Sequence, residues 1–126
     1  MQQLILHVDN EITTLDLVCE ILTGAGFKVV SAKSGQECLD KLAEIKPSLV
    51  LLDIMMPDLS GWDVYQRIRK TDKELKVAFL SVVEVSAERR KSLIESGLSD
   101  YILKPFVASE LISRVTKIIG PGKGGI

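Results

Sequence analysis

The chain has 126 residues, of which 46% are hydrophobic and 26% are charged, and its formal net charge at pH 7 is −1. This length fits a single globular domain, and the near-neutral charge argues against a protein that binds nucleic acid mainly through phosphate contacts. No apolar stretch approaches the ~20 residues of a membrane span, and the N-terminus does not have the pattern of a signal peptide. Cys19 and Cys38 form no CxxC motif, so we expect both to be small buried side chains in a reduced cytoplasm.

The N-terminal part of the chain alternates between apolar runs and helical patterns. Apolar residues recur at helical spacing after the first run, and glycines at positions 24 and 26 end that pattern. Ser34 and Glu37 have the spacing of a capping box. These patterns predict a strand over Leu4–Val8, a helix over Ile12–Gly24, a half-polar edge strand over Phe27–Ala32, and a second helix that Ser34 opens and that ends before Pro47.

The next stretch, Leu49–Leu52, consists of four consecutive apolar residues and runs directly into Asp53. A run this short, bounded by Pro47 and Pro57, predicts a strand that is buried on both faces. A buried strand carries no charge without a reason. We therefore expect Asp53 to lie at the carboxyl end of the strand, where an open α/β sheet binds ligands.

The same alternation continues to the end of the chain. Ser60 is a second predicted helix cap. The remaining predicted elements are a helix over Gly61–Lys70, a strand over Val77–Ser81, a helix over Ser86–Ser96, a strand over Tyr101–Leu103 and a helix over Val107–Ile119. We expect residues 1–119 to form the domain, and the glycine-rich residues 120–126 to be a flexible tail or the start of a linker.

Strands that alternate with helices in this way predict a parallel sheet with helices on both faces. The common order for five strands is 2-1-3-4-5, the flavodoxin-like doubly wound arrangement. In that order the direction of winding reverses between the first and third strands. Asp9 and Asp53 end those two strands, so both carboxylates are expected at the switch point of the sheet.

Four predicted strand ends then carry side chains that can bind a ligand or take part in a reaction. They are Asp9, Asp53, Ser81 and Lys104. Converging carboxylates repel one another and favour a bound cation, and a few oxygen ligands suit Mg²⁺. A magnesium ion, a lysine and a hydroxyl around one carboxylate favour phosphoryl transfer, yet the chain has no GxxxxGK[ST] and no GxGxxG between a predicted strand and a predicted helix. The remaining chemistry is attack by the Asp53 carboxylate on a phosphoryl donor to form an aspartyl-phosphate.

These motifs resemble the receiver domain of response regulators in two-component signal transduction. The resemblance covers residues 3 to about 119 and rests on four separate strand ends. The matching segments are Ile5–Asp9, Leu52–Pro57 with Gly61, Leu80–Ser81 and Asp100–Phe106.

The resemblance implies that Asp53 is the phosphoacceptor, and that the donor is a histidine kinase or phosphotransfer protein of a phosphorelay. It implies a Mg²⁺ site formed by Asp9, the residue at position 10, Asp53 and the backbone carbonyl of Met55. Lys104 would pair with the acid or the phosphate, Ser81 would move to donate to the phosphoryl group, and Tyr101 would rotate inward behind it. The fourth helix, fifth strand and fifth helix would then signal to a protein target or a linked output domain. On this interpretation the chain is a cytoplasmic phosphoprotein, is not an enzyme, and contacts neither nucleic acid nor membrane directly.

The sequence departs from the family pattern near the site. Asn10 stands where the family has a second acid, which predicts weaker Mg²⁺ binding, although Glu11 could compensate. Val82 follows Ser81 where a smaller residue is usual, and Met55 and Val83 are apolar where family members often orient the hydrolytic water. We therefore predict slow autodephosphorylation.

Two alternative functions stay open at this point. A pseudo-receiver would bind proteins constitutively because Asn10 disables the metal site. A small flavin mononucleotide carrier would share the fold, but the acidic loop after the first strand disfavours a flavin phosphate. His7, the only histidine, has no metal partner at suitable spacing and is expected to be a packed core residue, and Trp62 is expected to pack or to lie at the rim.

Overall fold

The computed structural model describes residues 2–122. Strands and helices alternate throughout this part of the chain. In order they are β1 (Leu4–Val8), α1 (Ile12–Gly24), β2 (Lys28–Ala32), α2 (Gly35–Leu42), β3 (Leu49–Leu52), α3 (Gly61–Thr71), β4 (Lys76–Ser81), α4 (Ala87–Glu95), β5 (Asp100–Leu103) and α5 (Ala108–Ile119).

The strands form one parallel sheet in the order β2-β1-β3-β4-β5, which confirms the predicted topology. At the centre, Leu51 of β3 is paired with His7 of β1 and Ala78 of β4. β2 is an edge strand, and its exposed Lys28 and partly exposed Ser31 fit the half-polar pattern of that segment. The winding reverses at β1 and β3, so the carboxyl ends of these strands border the switch point.

The core lies in two layers, one on each face of the sheet. All residues of β3 are buried, and they alternate between the layers: Val50 and Leu52 face one, and Leu49 and Leu51 face the other. The first layer contains side chains of α2, α3 and α4, and the second contains side chains of α1 and α5. Helices on both faces explain why β3 is apolar at every position.

Local caps set several helix boundaries. The hydroxyls of Ser34, Ser60 and Ser86 each accept a hydrogen bond from the amide three residues later, so each serine lies just before its helix. The predicted helix over Ser86–Ser96 therefore begins one residue later, at Ala87. α2 ends at Leu42, well before Pro47. None of the helices within residues 2–122 is long and apolar enough to cross a membrane.

The segment after α5 turns back towards the start of β1. The amide of Gln3 donates to the carbonyl of Gly122 at 2.9 Å. Gly122 is buried, and a Cβ atom there would lie 2.6 Å from the backbone of Gly26. The rest of the predicted tail, residues 123–126, lies outside the described residues, and the domain boundary at residue 119 stays a prediction.

Candidate functional site

Three backbone hydrogen bonds place the candidate side chains at one edge of the sheet. Each bond extends a strand pairing by one residue beyond the end of the strand, which holds the following residue at the carboxyl edge. The pairs are Asp9 N to Ala32 O at 3.1 Å, Asp53 N to Val8 O at 3.0 Å, and Lys104 N to Ser81 O at 2.9 Å. The predicted convergence of Asp9, Asp53, Ser81 and Lys104 at this edge is what the structure shows.

Lys104 lies between the two acids. Its Nζ atom is 2.6 Å from Oδ2 of Asp9 and 3.5 Å from Oδ2 of Asp53. Asp9 is fully buried and Asp53 is 4% exposed, so little water reaches either carboxylate. One ammonium group thus compensates two buried negative charges, and the site as a whole retains a net negative charge.

The other carboxylate oxygens bind backbone amides. Glu11 N donates to Oδ1 of Asp9 at 2.9 Å, and Met55 N donates to Oδ1 of Asp53 at 3.3 Å. These bonds fix the orientation of both carboxylates beside Lys104. Asn10 is exposed, and Glu11, also exposed, is the residue before the first turn of α1.

The donor atoms available here are oxygens. Residues 2–122 contain no group of three His, Cys, Asp or Glu side chains that could hold a metal ion. Two buried carboxylates and nearby carbonyl groups nevertheless fit Mg²⁺, which keeps several waters and binds through one or two carboxylates plus phosphate oxygens.

The loop from Asp53 to Gly61 is held closely against the end of β3. Gly61 N donates to the carbonyl of Ile54 at 2.8 Å. A Cβ atom at Gly61 would lie 2.3 Å from the carbonyl oxygen of Asp53. Only glycine allows this close approach, which explains why the loop can return to the strand so soon after Asp53.

Ser81 and Tyr101 meet at the backbone of Val83. The Ser81 hydroxyl accepts a hydrogen bond from Val83 N at 3.3 Å, and the Tyr101 hydroxyl donates to the Val83 carbonyl. Tyr101 is 1% exposed, so its ring is in the inward orientation. Burial, followed by the negative charge of Asp53, raises the pKa of Tyr101, which keeps its hydroxyl a donor.

An aromatic cluster lies next to Tyr101. The ring of Phe79 on β4 is 5.8 Å from that of Tyr101, 5.7 Å from that of Tyr65 and 4.8 Å from that of Trp62. Trp62, at the start of α3, is half-buried, in agreement with its expected place at the rim of the core. The cluster itself was not predicted, because nothing local in the sequence pairs a residue of α3 with one of β4 or β5.

His7 is buried behind the acids. It is 0% exposed, and neither ring nitrogen has a hydrogen-bond partner among the described residues. Burial, together with the positive charge of Lys104, lowers the pKa of His7 to about 3 against a smaller opposing effect of Asp53. His7 is therefore a neutral core residue at neutral pH.

Exposed apolar side chains also follow the strand ends that carry the site. Each of them follows a different strand, so all lie towards the carboxyl edge of the sheet, one in the first turn of α1 and three in loops. They are Ile12, Met55, Val82 and Val107, with exposures of 58%, 60%, 59% and 61%. We call these four residues the apolar rim.

Three charged side chains join α4, β5 and α5. Asp100 of β5 accepts a hydrogen bond from Arg90 of α4 at 3.1 Å. Arg114 of α5 donates to both oxygens of the same carboxylate, at 2.8 Å and 2.9 Å. This ion-pair network ties together the three elements that, by the family resemblance, are expected to change on signalling.

Residues 5–116 match the family model described as the response regulator receiver domain. The chain belongs to this family. Its fold, with acids after β1 and β3 and a lysine after β5, is thus the fold of a receiver domain.

Two curated relatives show the likeness in sequence. The receiver domain is 36% identical over 118 residues to a probable transcriptional regulatory protein, SilR, of Salmonella typhimurium, a match over 94% of this chain and 51% of that protein. It is also 36% identical over 115 residues to the DNA-binding response regulator MtrA of Mycobacterium tuberculosis, over 91% of this chain and 50% of that protein. The receiver domain therefore spans about half the length of the curated relatives it matches.

Solved structures show the same fold. The response regulator TrrA of Thermotoga maritima, in complex with Mg²⁺-BeF, has a TM-score of 0.80 and 34% identity, with 92% of this chain and 98% of that chain covered. The signal receiver domain of a Luxo repressor protein from Vibrio parahaemolyticus has a TM-score of 0.86, with 94% of this chain and 91% of that chain covered. Identity to the second is 24%, so that likeness concerns the fold alone.

Proposed function

We propose that this receiver domain accepts a phosphoryl group on Asp53 from a phosphohistidine of a partner protein. The observation that carries the proposal is the position of the Lys104 ammonium between two buried carboxylates, 2.6 Å from Asp9 and 3.5 Å from Asp53. A buried acid that retains an unbonded oxygen lone pair beside a fixed cation is a suitable nucleophile for phosphoryl transfer. The chemistry of the family supports the same assignment.

In the proposed reaction an oxygen of Asp53 attacks phosphorus as the phosphorus–nitrogen bond of the phosphohistidine breaks. The donor imidazole keeps the electron pair and takes up a proton, and Asp53 becomes an acyl phosphate. Bound Mg²⁺, held by Asp9, Asp53, the Met55 carbonyl and the amide oxygen of Asn10, would neutralise charge on the phosphoryl oxygens. Lys104 stabilises the same oxygens, and the Ser81 hydroxyl supplies a donor.

The apolar rim supports a protein as the donor. Four exposed apolar side chains near the acids favour burial against an apolar partner surface. A histidine kinase or phosphotransfer domain that presents a phosphohistidine among apolar residues fits this arrangement.

The proposed output is a change at α4, β5 and α5. A phosphoryl group adds roughly −1.5 to −2 charge and three acceptor oxygens, and Ser81 would turn towards it. Ser81 and Tyr101 both bind the backbone of Val83, so a movement of Ser81 shifts the balance between inward and outward Tyr101. Arg90, Asp100 and Arg114 would carry this shift to the surface.

We further propose that the whole protein is a cytoplasmic regulator in which this receiver domain controls a linked output domain or a protein target. The relatives named above are described as regulators, one of them as DNA-binding, and they are about twice the length of the match. On this proposal any contact with DNA belongs to the other half of such a protein, and the receiver domain itself contacts neither nucleic acid nor membrane.

The test is phosphorylation by a small-molecule donor. The protein is treated with phosphoramidate and Mg²⁺ and its intact mass is measured. We expect a gain of one phosphate in the wild type and no gain in Asp53→Asn, which keeps the shape of the side chain but removes the nucleophilic oxygen.

Absence of any gain, at every Mg²⁺ concentration, would favour the pseudo-receiver alternative, in which Asn10 disables the metal site. The match to the receiver-domain family lends that alternative no support, and the relatives named above are described as regulators rather than flavin carriers. An Asn10→Asp variant tests the metal effect directly: it should reach its half-maximal rate at a lower Mg²⁺ concentration than the wild type.

A further inference from the structure

The loop that follows the phosphoacceptor is tied to α2 by Asp58. Oδ1 of Asp58 accepts a hydrogen bond from Gly35 N at 3.1 Å, and Oδ2 accepts one from Gln36 N at 2.9 Å. These amides belong to the first turn of α2 and have no partner within the helix. Ser34, the cap of α2, binds the next amide, that of Glu37, at 3.0 Å. The start of α2 is thus capped partly by its own serine and partly by a carboxylate from the β3–α3 loop.

Packing beside this contact is also tight. A Cβ atom at Gly35 would lie 2.8 Å from Cβ of Leu59 and 2.9 Å from a methyl group of Val64. Glycine at this position therefore lets the β3–α3 loop approach the helix closely enough for Asp58 to reach the amides. The same amides, that of Gln36 first, lower the pKa of Asp58, so its carboxylate is charged at neutral pH and complements the positive end of α2.

We propose that Asp58 is a positioning residue for the phosphorylation site: by binding the first amides of α2, it fixes the β3–α3 loop and with it the backbone of Met55. The inference rests on the proposed function, in which the Met55 carbonyl is a ligand of Mg²⁺. Met55 is three residues from Asp58, and its amide also binds Asp53. The bond from Gly61 N to the carbonyl of Ile54, next to Met55, closes the loop on itself. Asp58 supplies a second anchor, which joins the loop to another element.

The consequence is an effect on metal affinity rather than on the chemical step. Residues that hold a ligand in place without touching the metal contribute about tenfold or more to metal affinity. We expect Asp58→Ala to raise the Mg²⁺ concentration for half-maximal phosphorylation by about tenfold, while the rate at saturating Mg²⁺ approaches that of the wild type. Asp58→Asn keeps one acceptor oxygen, so its half-maximal Mg²⁺ concentration should lie between those of the wild type and Asp58→Ala.

Ser34→Ala is the matched control. It removes a cap from the same turn of α2 and should cost similar stability, about 1 kcal/mol, but it leaves the contact between loop and helix intact. Its Mg²⁺ dependence should equal that of the wild type. Gly35→Ala is an independent test, because it forces the loop away from the helix while Asp58 is retained, and it should resemble Asp58→Ala.

Hydrogen exchange separates this inference from the proposed function. In Asp58→Ala the amides of Met55 and Gly61 should exchange faster than in the wild type, and in Ser34→Ala they should not. Equal exchange of these amides in Asp58→Ala and the wild type, or an equal shift of Mg²⁺ dependence in Asp58→Ala and Ser34→Ala, overturns the positioning role. A wild type that takes no phosphoryl group overturns the proposed function instead, and the exchange comparison then decides whether Asp58 holds the loop.

Discussion

Lys104 is closer to Asp9 than to Asp53: its ammonium is 2.6 Å from the first carboxylate and 3.5 Å from the second. The shorter contact is made to the acid that is fully buried. Asp53 therefore keeps the weaker of the two ion pairs and the more accessible oxygens. This asymmetry suits a site in which Asp9 holds the Lys104 ammonium in place and Asp53 reacts.

The first prediction concerns this shared cation. Lys104→Met should lower the free energy of unfolding by about 3 kcal/mol in the absence of Mg²⁺, because it leaves buried carboxylates without compensation. Added Mg²⁺ should restore part of that loss, since it binds the folded state. Urea denaturation with and without Mg²⁺ measures both effects.

Lys41→Met is the control for that experiment. The Lys41 ammonium is partly buried, but it donates to the carbonyl of Ser31 at 2.5 Å and has no carboxylate partner within 4.0 Å among residues 2–122. Lys41→Met should lower the free energy of unfolding by less than Lys104→Met does, and the effect should not depend on Mg²⁺. Equal losses in the two variants would show that Lys104 contributes packing rather than charge compensation.

The second prediction is a pH dependence of stability that arises from His7. Its pKa is about 3 in the folded chain, against an ordinary value of 6.5, so the unfolded chain takes up the proton first as the pH falls. As the pH falls from 6.5 to about 3, His7 should lower the free energy of unfolding by up to about 1.4 kcal/mol for each pH unit. Above this range His7 should contribute no pH dependence.

His7→Leu removes this dependence. At neutral pH the variant should be as stable as the wild type or more stable, because it also removes two buried nitrogens that have no partner among the described residues. As the pH falls from about 7 to about 4, the wild type should become progressively less stable than the variant. Urea titrations of both proteins measure the gap, and a gap that stays constant with pH contradicts the assignment.

The third prediction uses a pair of buried tyrosines. Tyr101 donates to the Val83 carbonyl, whereas the hydroxyl of Tyr65 has no hydrogen-bond partner in the described part of the chain. Tyr101→Phe should cost about 1 kcal/mol of stability, and Tyr65→Phe should be neutral or stabilising. Thermal denaturation compares them, and similar effects of the two changes would mean that the Tyr101 hydrogen bond does not hold the ring inward.

The sheet and the charged centre of the site could be predicted because both depend on local patterns. Leu49–Leu52 is a strand because four apolar residues lie between two prolines, and alternation of strands and helices determines the class of fold. In a parallel sheet the residue after each strand is placed at one edge, so Asp9, Asp53 and Lys104 follow from the strand ends alone.

Contacts between elements distant in the chain could not be predicted in this way. The bond from Asp58 to the start of α2 spans 23 residues for Gly35, and Arg90 and Arg114 reach Asp100 from two different helices. Each depends on the exact orientation of packed helices, which periodicity does not encode. The orientation of Tyr101 is of the same kind, because its partner is a backbone carbonyl in a loop without regular structure.

The fourth prediction is slow loss of the phosphoryl group. Hydrolysis requires a water that is oriented for attack on phosphorus, and a polar side chain near the acyl phosphate can hold it. Met55 is two residues from Asp53 and 60% exposed, and Val82 is 59% exposed on the neighbouring loop, so the approach to Asp53 is lined by apolar groups. The phosphorylated protein in Mg²⁺ should therefore decay over many minutes or longer, and a half-life of seconds would contradict this account.

Met55→Asn tests the cause of that slow decay. A side-chain amide at this position can hold the attacking water, and one added hydrogen bond corresponds to an acceleration of up to about tenfold. Leu17→Asn adds the same group at a 50% exposed position of α1, outside the loops that carry the acids, and should leave the half-life unchanged. Intact-mass measurements of the phosphorylated fraction over time give all three rates. If Met55→Asn decays no faster than Leu17→Asn, the apolar rim is a docking surface only and the lifetime of the acyl phosphate is set elsewhere, with Val83 as the next position to change.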